Sequence, residues 1–132
     1  ADADPAMVQQ VEARQANFQD MGAAFKAIND ELKAGRPDST TASYSIDSVV
    51  RYGNQVNEWF PDGSGPELGI KMEAKSLIWE EPDEFEARIA QFETALTELA
   101  AAKGGDAATV QAAFGKTGAA CKACHDKFRE ED

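Results

Sequence analysis

The sequence predicts an all-α protein, an antiparallel four-helix bundle forming one domain over residues 1–132. Three observations lead there. Apolar residues recur at spacings of three and four along four separate stretches, with no alternating strand pattern anywhere. Alanine, the strongest helix former, fills 24 positions. The stretches are joined by mostly short turns, and helices joined that way pack as antiparallel neighbours.

The first helix opens at Asp4-Pro5, a capping carboxylate followed by proline at the first helical position. Met7, Val11, Arg14, Phe18, Met21, Phe25, Ile28 and Leu32 form its apolar stripe, and Gly35 and Pro37 stop it. A second helix follows the Ser/Thr cluster at Thr41 and Ser43, with Ile46, Val49, Gly53, Val56 and Phe60 along one face until Pro61 closes it. Pro61 to Gly69 reads as a loop, and Ile70 to Trp79 as an apolar connection with room for a short helix. The third long helix starts near Pro82-Asp83 and buries Phe85, Ile89, Phe92, Leu96 and Leu99. Gly104-Gly105 ends it, and Asp106 caps the fourth, whose stripe runs through Val110, Phe114, Thr117, Cys121 and Phe128.

Composition alone points elsewhere. Ile, Leu, Val and Phe make up only 17% of the chain, and the net charge is −11, a combination typical of disorder. A large apolar cofactor would supply the missing core. The acidity excludes nucleic acid as a partner, because the phosphate backbone would repel the chain, and any docking partner should carry a basic patch. No apolar run reaches membrane-spanning length, so membrane insertion is not expected.

The cofactor is written near the end of the chain. Cys121-Lys122-Ala123-Cys124-His125 is the C-x-x-C-H signature of covalent c-type haem attachment. Two thiols three apart on a helix share a face, where each can add to one haem vinyl group. The adjacent imidazole then serves as proximal iron ligand. A redox dithiol fits less well, since the motif ends its helix, where the dipole opposes a thiolate. A structural zinc site needs four ligands, and the chain has two Cys and one His in all. One haem c per chain is the expectation, with Cys121 and Cys124 as attachment points and His125 as the metal ligand. Haem c attachment in bacteria takes place outside the cytoplasm. A periplasmic location is therefore expected, with the small-residue start Ala1-Asp2-Ala3 as a mature N-terminus. Arg14 is the one charge inside the first stripe; it either snorkels to the surface or meets a haem propionate with its paired donors.

Cys121 to Asp126 followed by Phe128-Arg129, Arg14-Gln15-Ala16 with Met21-Gly22, and Glu73-Ala74-Lys75 to Ile78-Trp79 together resemble the cytochrome c′ family. The resemblance spans essentially the whole chain. C-x-x-C-H fits any c-type cytochrome; its place at the C-terminus of a four-helix chain is the more specific signal. The resemblance implies a haem between the helices at one end of the bundle, with His125 as sole protein ligand and the iron five-coordinate. Phe18 falls where low-spin relatives place a ligating methionine, and a phenyl ring cannot ligate. Met21 and Met72 are the remaining candidates for a second ligand, Met21 being kept in the family for packing. Relatives use the residues matching Arg14 and Gln15 on the propionates, and Glu73 matches a position near the haem edge. Family members commonly form homodimers through their first two helices; here Tyr44, Val50 and Tyr52 lie off the seam of the second helix as a candidate apolar patch.

Arg129 lies one turn beyond His125, either felt at the imidazole or solvated beside Glu130 and Glu131. Trp59, Trp79, Phe85, Phe92 and Phe128 read as core or haem-edge packing. The expected function is binding of diatomic gases, nitric oxide or carbon monoxide, at the open iron, with nitric oxide scavenging or buffering as the role. The alternative is an electron-transfer cytochrome of a respiratory or photosynthetic chain. An enzyme is not expected, because the only histidine is committed to the iron and no distal acid/base group is left.

Overall fold

The computed structural model describes residues 3–130. Ala1, Asp2, Glu131 and Asp132 lie outside the described residues, and with them most of the small-residue start and one acidic neighbour of Arg129. Four long helices form the bundle: α1 (Pro5–Lys33), α2 (Thr40–Gly53), α4 (Pro82–Ala102) and α5 (Ala107–Phe128), with a one-turn helix α3 (Leu77–Glu80) before α4. Each long helix packs on two neighbours in the ring order α1, α2, α4, α5, and the α1/α5 seam is the least closely packed.

The helix ends follow the capping chemistry. Asp4 accepts a hydrogen bond from the Ala6 N–H at 3.0 Å, and Asp106 accepts one from the Thr109 N–H at 2.9 Å. At the end of α1, the Arg36 N–H donates to the Glu31 carbonyl and the Gly35 N–H to the Leu32 carbonyl. Gly35 makes this reversal at φ +75°, a Schellman motif that needs glycine's left-handed freedom. Glu31 then clamps the α1–α2 connection, accepting from Arg36 and Ser39.

The second helix differs from expectation at both ends: it begins at Thr40, within the Ser/Thr cluster and not after it, capped by Ser39 Oγ, which accepts from the Ala42 N–H. The periodicity carries the second helix to Phe60, but α2 ends at Gly53 and the chain tightens into a 3₁₀ turn, Val56–Trp59. Gly53-Asn54-Gln55 is poor helix sequence, and the i→i+3 bond from Gln55 N–H to the Tyr52 carbonyl replaces the helical one. Val56 and Trp59 remain buried, so the apolar pattern was right and its geometry wrong. Gly53 also brings α2 against α4: a Cβ there would run into the Leu96 side chain.

The core is solid at one end and hollow at the other. Ile28, Ile46, Leu96, Leu99 and Val110 are all fully buried at the solid end. They lie later than residues 14–25 and 85–92 in α1 and α4, and earlier than 49–56 and 118–129 in the rest of the chain, as antiparallel packing requires. Those other segments line the hollow end. Among the described residues there is no strand, only an isolated antiparallel bridge between Ala74 and Arg129.

Candidate haem site

The hollow end of the bundle is a cavity of about 980 Å³, at the top of the range for cofactor sites, ~300–1,000 Å³. All seven residues singled out from sequence line it: Arg14, Gln15, Phe18, Glu73, Cys121, Cys124 and His125. They come from α1, the connection before α3, and the end of α5.

Cys121 and Cys124 are half-buried free thiols on the cavity wall. Burial pushes the Cys121 pKa up to about 11, helped by Cys124; burial does the same to Cys124, opposed by Arg88. These are protonated thiols, the reverse of a redox dithiol's activated thiolate. No cluster of three or more His, Cys, Asp or Glu able to hold a metal exists among the described residues. His125 reaches solvent at the cavity rim. Desolvation lowers its pKa, as does the Arg129 guanidinium, against Asp126 and Glu73, so the neutral imidazole needed for ligation is favoured. Arg129 is thus felt at the imidazole while it pairs with Glu73.

The turn that carries His125 is tied down from outside its helix. The Lys75 N–H donates to the Phe128 carbonyl at 2.9 Å and the Glu130 N–H to the Glu73 carbonyl at 2.6 Å. Nothing in the periodicity announces this pairing, because it joins an irregular connection to a helix end.

Arg14 does not snorkel; it is 2% exposed. Its Nη1 donates to the Trp59 carbonyl (3.2 Å) and Ser64 Oγ (2.8 Å), and its Nη2 to the Ser64 carbonyl (2.7 Å) and Met72 Sδ (3.4 Å). The guanidinium also lies over the Phe60 ring, 4.7 Å from its centroid. Burial lowers its pKa to about 10, with Glu67 working the other way, so it stays charged at neutral pH. Sequence reasoning missed Ser64, which is fully buried inside a Gly-Ser-Gly loop with no periodicity to mark it. Gln15 and Glu73 are exposed on the rim.

Phe18 stands edge-on to Trp59, ring centroids 5.0 Å apart, and tilted against Phe60 at 6.1 Å. Met21 and Met72 both line the cavity; Met21 is packed in the buried core cluster, and the Met72 thioether accepts from Arg14.

The residues present fit a haem. The cavity, open to solvent at its rim, has the volume of a cofactor-sized body. Its walls are apolar, with Val49, Phe60, Ile78, Phe85, Ile89 and Phe92, and two thiols and an imidazole converge on one side.

The comparisons agree. Residues 9–129 match the family Cytochrome C'. The chain is 33% identical over 122 residues to a cytochrome c' of Pararhodospirillum photometricum, covering 91% of this chain and 95% of that one. It is 46% identical over 70 residues to a cytochrome c' of Rubrivivax gelatinosus, 52% of this chain and 54% of that relative, so this match spans about half the relative's length. Among solved structures, it is similar to the nitric oxide complex of a variant cytochrome c prime from Alcaligenes xylosoxidans, with TM-score 0.83, 25% identity and coverage of 95% and 97% of the two chains.

Proposed function

The chain belongs to the cytochrome c′ family, whose cofactor is covalently bound c-type haem, and from that premise we propose that it binds nitric oxide and carbon monoxide at a five-coordinate iron. Cys121 and Cys124 hold the haem as thioethers, and His125 ligates the metal. When bound, the haem supplies an iron with one position open to a small ligand. Phe18 covers that position.

The observation that carries this reading is the composition of the cavity wall around Phe18. Phe18 has no lone pair to give the metal and no donor to give a ligand; the amides Gln15 and Gln19 that also line the cavity stand exposed at its rim, Met21 is packed in the core cluster, the Met72 thioether accepts from Arg14, and the one histidine is in the attachment motif. A wall of this kind favours carbon monoxide and nitric oxide, which need no distal hydrogen bond, over dioxygen, which does. The similar solved structure that contains nitric oxide supports it.

Arg14 presents positive charge to the propionates from behind the cavity wall. Its four terminal N–H groups are engaged by Ser64, Trp59 and Met72, which leaves Nε–H and the charge itself. Gln15 and Glu73 flank the same rim. Nitric oxide scavenging or buffering in the periplasm is the role we assign. No helix among the described residues is long and apolar enough to cross a membrane. We also propose a homodimer. Tyr44 is 69% exposed, whereas Val50 and Tyr52 pack partly on the core, so Tyr44 is the main apolar contribution to such an interface.

The test is optical spectra of the ferric and ferrous protein, before and after carbon monoxide. High-spin spectra and a carbon monoxide complex are expected. A low-spin, six-coordinate ferrous spectrum that carbon monoxide leaves unchanged would overturn the assignment in favour of an electron carrier.

A further inference from the structure

The cavity opens along the α1/α5 seam, where rim residues are both exposed and part of the lining. On α1 these are Gln15, Gln19 and Gly22, on successive turns; on α5 they are Lys122, His125 and Asp126, with Arg129 at its C-cap and half-buried Gly118 one turn before Cys121, and the connection before α3 adds Lys71 and Glu73 to the rim. Most of this rim carries long side chains, and Lys122 and Asp126 pair across their own turn at 2.8 Å. Gly22 and Gly118 carry none. A Cβ built on Gly22 meets nothing within 4 Å, so the space beside it is open.

What stands beside that gap is one ring. Phe25 lines the cavity, and its Cζ would lie 3.3 Å from a Cβ on Gly118. The ring is only half-buried, and it is held by stacking on Phe114, 4.2 Å between centroids and 18° between planes. Stacked on Phe114, packed at the edge of the core cluster and close to the bare backbone of Gly118, the ring is a half-buried side chain one turn along α1 from the open space at Gly22.

We propose that Gly22 and Phe25 form a side portal through which small uncharged gases enter and leave the haem cavity, with the Phe25 ring as its door. The proposal rests on the gas-binding reading above, but concerns residues distinct from Phe18. It separates route from destination. A portal residue changes the rates of arrival and departure by one common factor and leaves the equilibrium constant alone, whereas a side chain that touches the bound gas changes the equilibrium.

The test uses the haem-loaded protein and two variants, by stopped-flow mixing and flash photolysis of the carbon monoxide complex. Gly22→Leu has open space for its Cβ on an exposed position and replaces a poor helix former with a good one, which favours retention of the fold. It should slow association and dissociation together by about threefold or more, with affinity and absorption spectrum unchanged. It should also raise the fraction of photolysed gas that rebinds before escaping. Phe25→Leu should do the opposite. If the wild type binds carbon monoxide but neither variant changes its rates, or if the two rates move apart so that affinity changes, the portal is overturned and the functional reading stands. If the wild type binds no carbon monoxide, both fall.

Discussion

Replacing Phe18 by alanine tests the gas site at its centre. For a ligand to reach the open iron position, the ring must swing off its partners, losing its edge contact with Trp59 at 5.0 Å and its tilted contact with Phe60 at 6.1 Å. Aromatic pairs of this kind contribute ~0.5–1.5 kcal/mol each beyond area burial. Two of them place about 1–3 kcal/mol between the resting and ligand-admitting positions, or roughly 5- to 150-fold in equilibrium. Phe18→Ala should therefore raise carbon monoxide affinity by a factor within that range, through faster association. Carbon monoxide titration of the ferrous protein and stopped-flow mixing measure both quantities. An unchanged association rate and affinity would refute the reasoning, because a ring that need not move is not covering the site.

Four further outcomes are expected. Gly53→Ala drives a Cβ into Leu96 and Phe92 at the α2/α4 contact, and overpacking of this kind costs ~1–3 kcal/mol; thermal melting should show Tm several degrees lower. Glu31, held below its usual 4.5 by Arg36 and then Ser39, stabilises the fold above that value and loses the contribution as pH falls through its lower folded pKa. The stability gap between wild type and Glu31→Gln, by urea titration, should be full near neutral pH and close on acidification. Haem-free protein should show reduced helicity and no cooperative melt by circular dichroism, since the haem supplies apolar core that the side chains of this acidic chain do not. Sedimentation at micromolar concentration should show a dimer that Tyr44→Lys dissociates.

The bundle was legible in the chain because its information is periodic or punctuated. The α1 stripe from Met7 to Leu32 contains no exposed residue, and the caps at Asp4 and Asp106 and the stop at Gly35 are each made by the residue that announced them. The site was legible for a different reason: C-x-x-C-H states its chemistry in five residues, Arg14 stands out as the one charge in an apolar stripe, and resemblance supplied Gln15, Phe18 and Glu73, all of which the fold brings to one cavity. What was not legible depends on contacts between distant segments. Hydrophobic spacing could not distinguish a helix from the 3₁₀ turn Val56–Trp59, because both bury Val56 and Trp59. Ser64 carries no pattern of its own; its importance exists only once Arg14 is folded against it.

The bridge between Ala74 and Arg129 changes what kind of object the end of α5 is. Terminal helical turns fray. Here the frayable end is sewn by main-chain hydrogen bonds to a segment some fifty-five residues earlier, on either side of that bridge. The imidazole's heading is therefore set by two parts of the chain, only one of which is the helix it belongs to. Slack introduced anywhere between Pro61 and Lys75, by an inserted or deleted residue, would be transmitted through backbone to His125 with no side chain of the cavity altered. Such length changes should register in the iron's spectrum before they register in the melting temperature, so this loop's length belongs to the metal's environment as much as any residue that touches it.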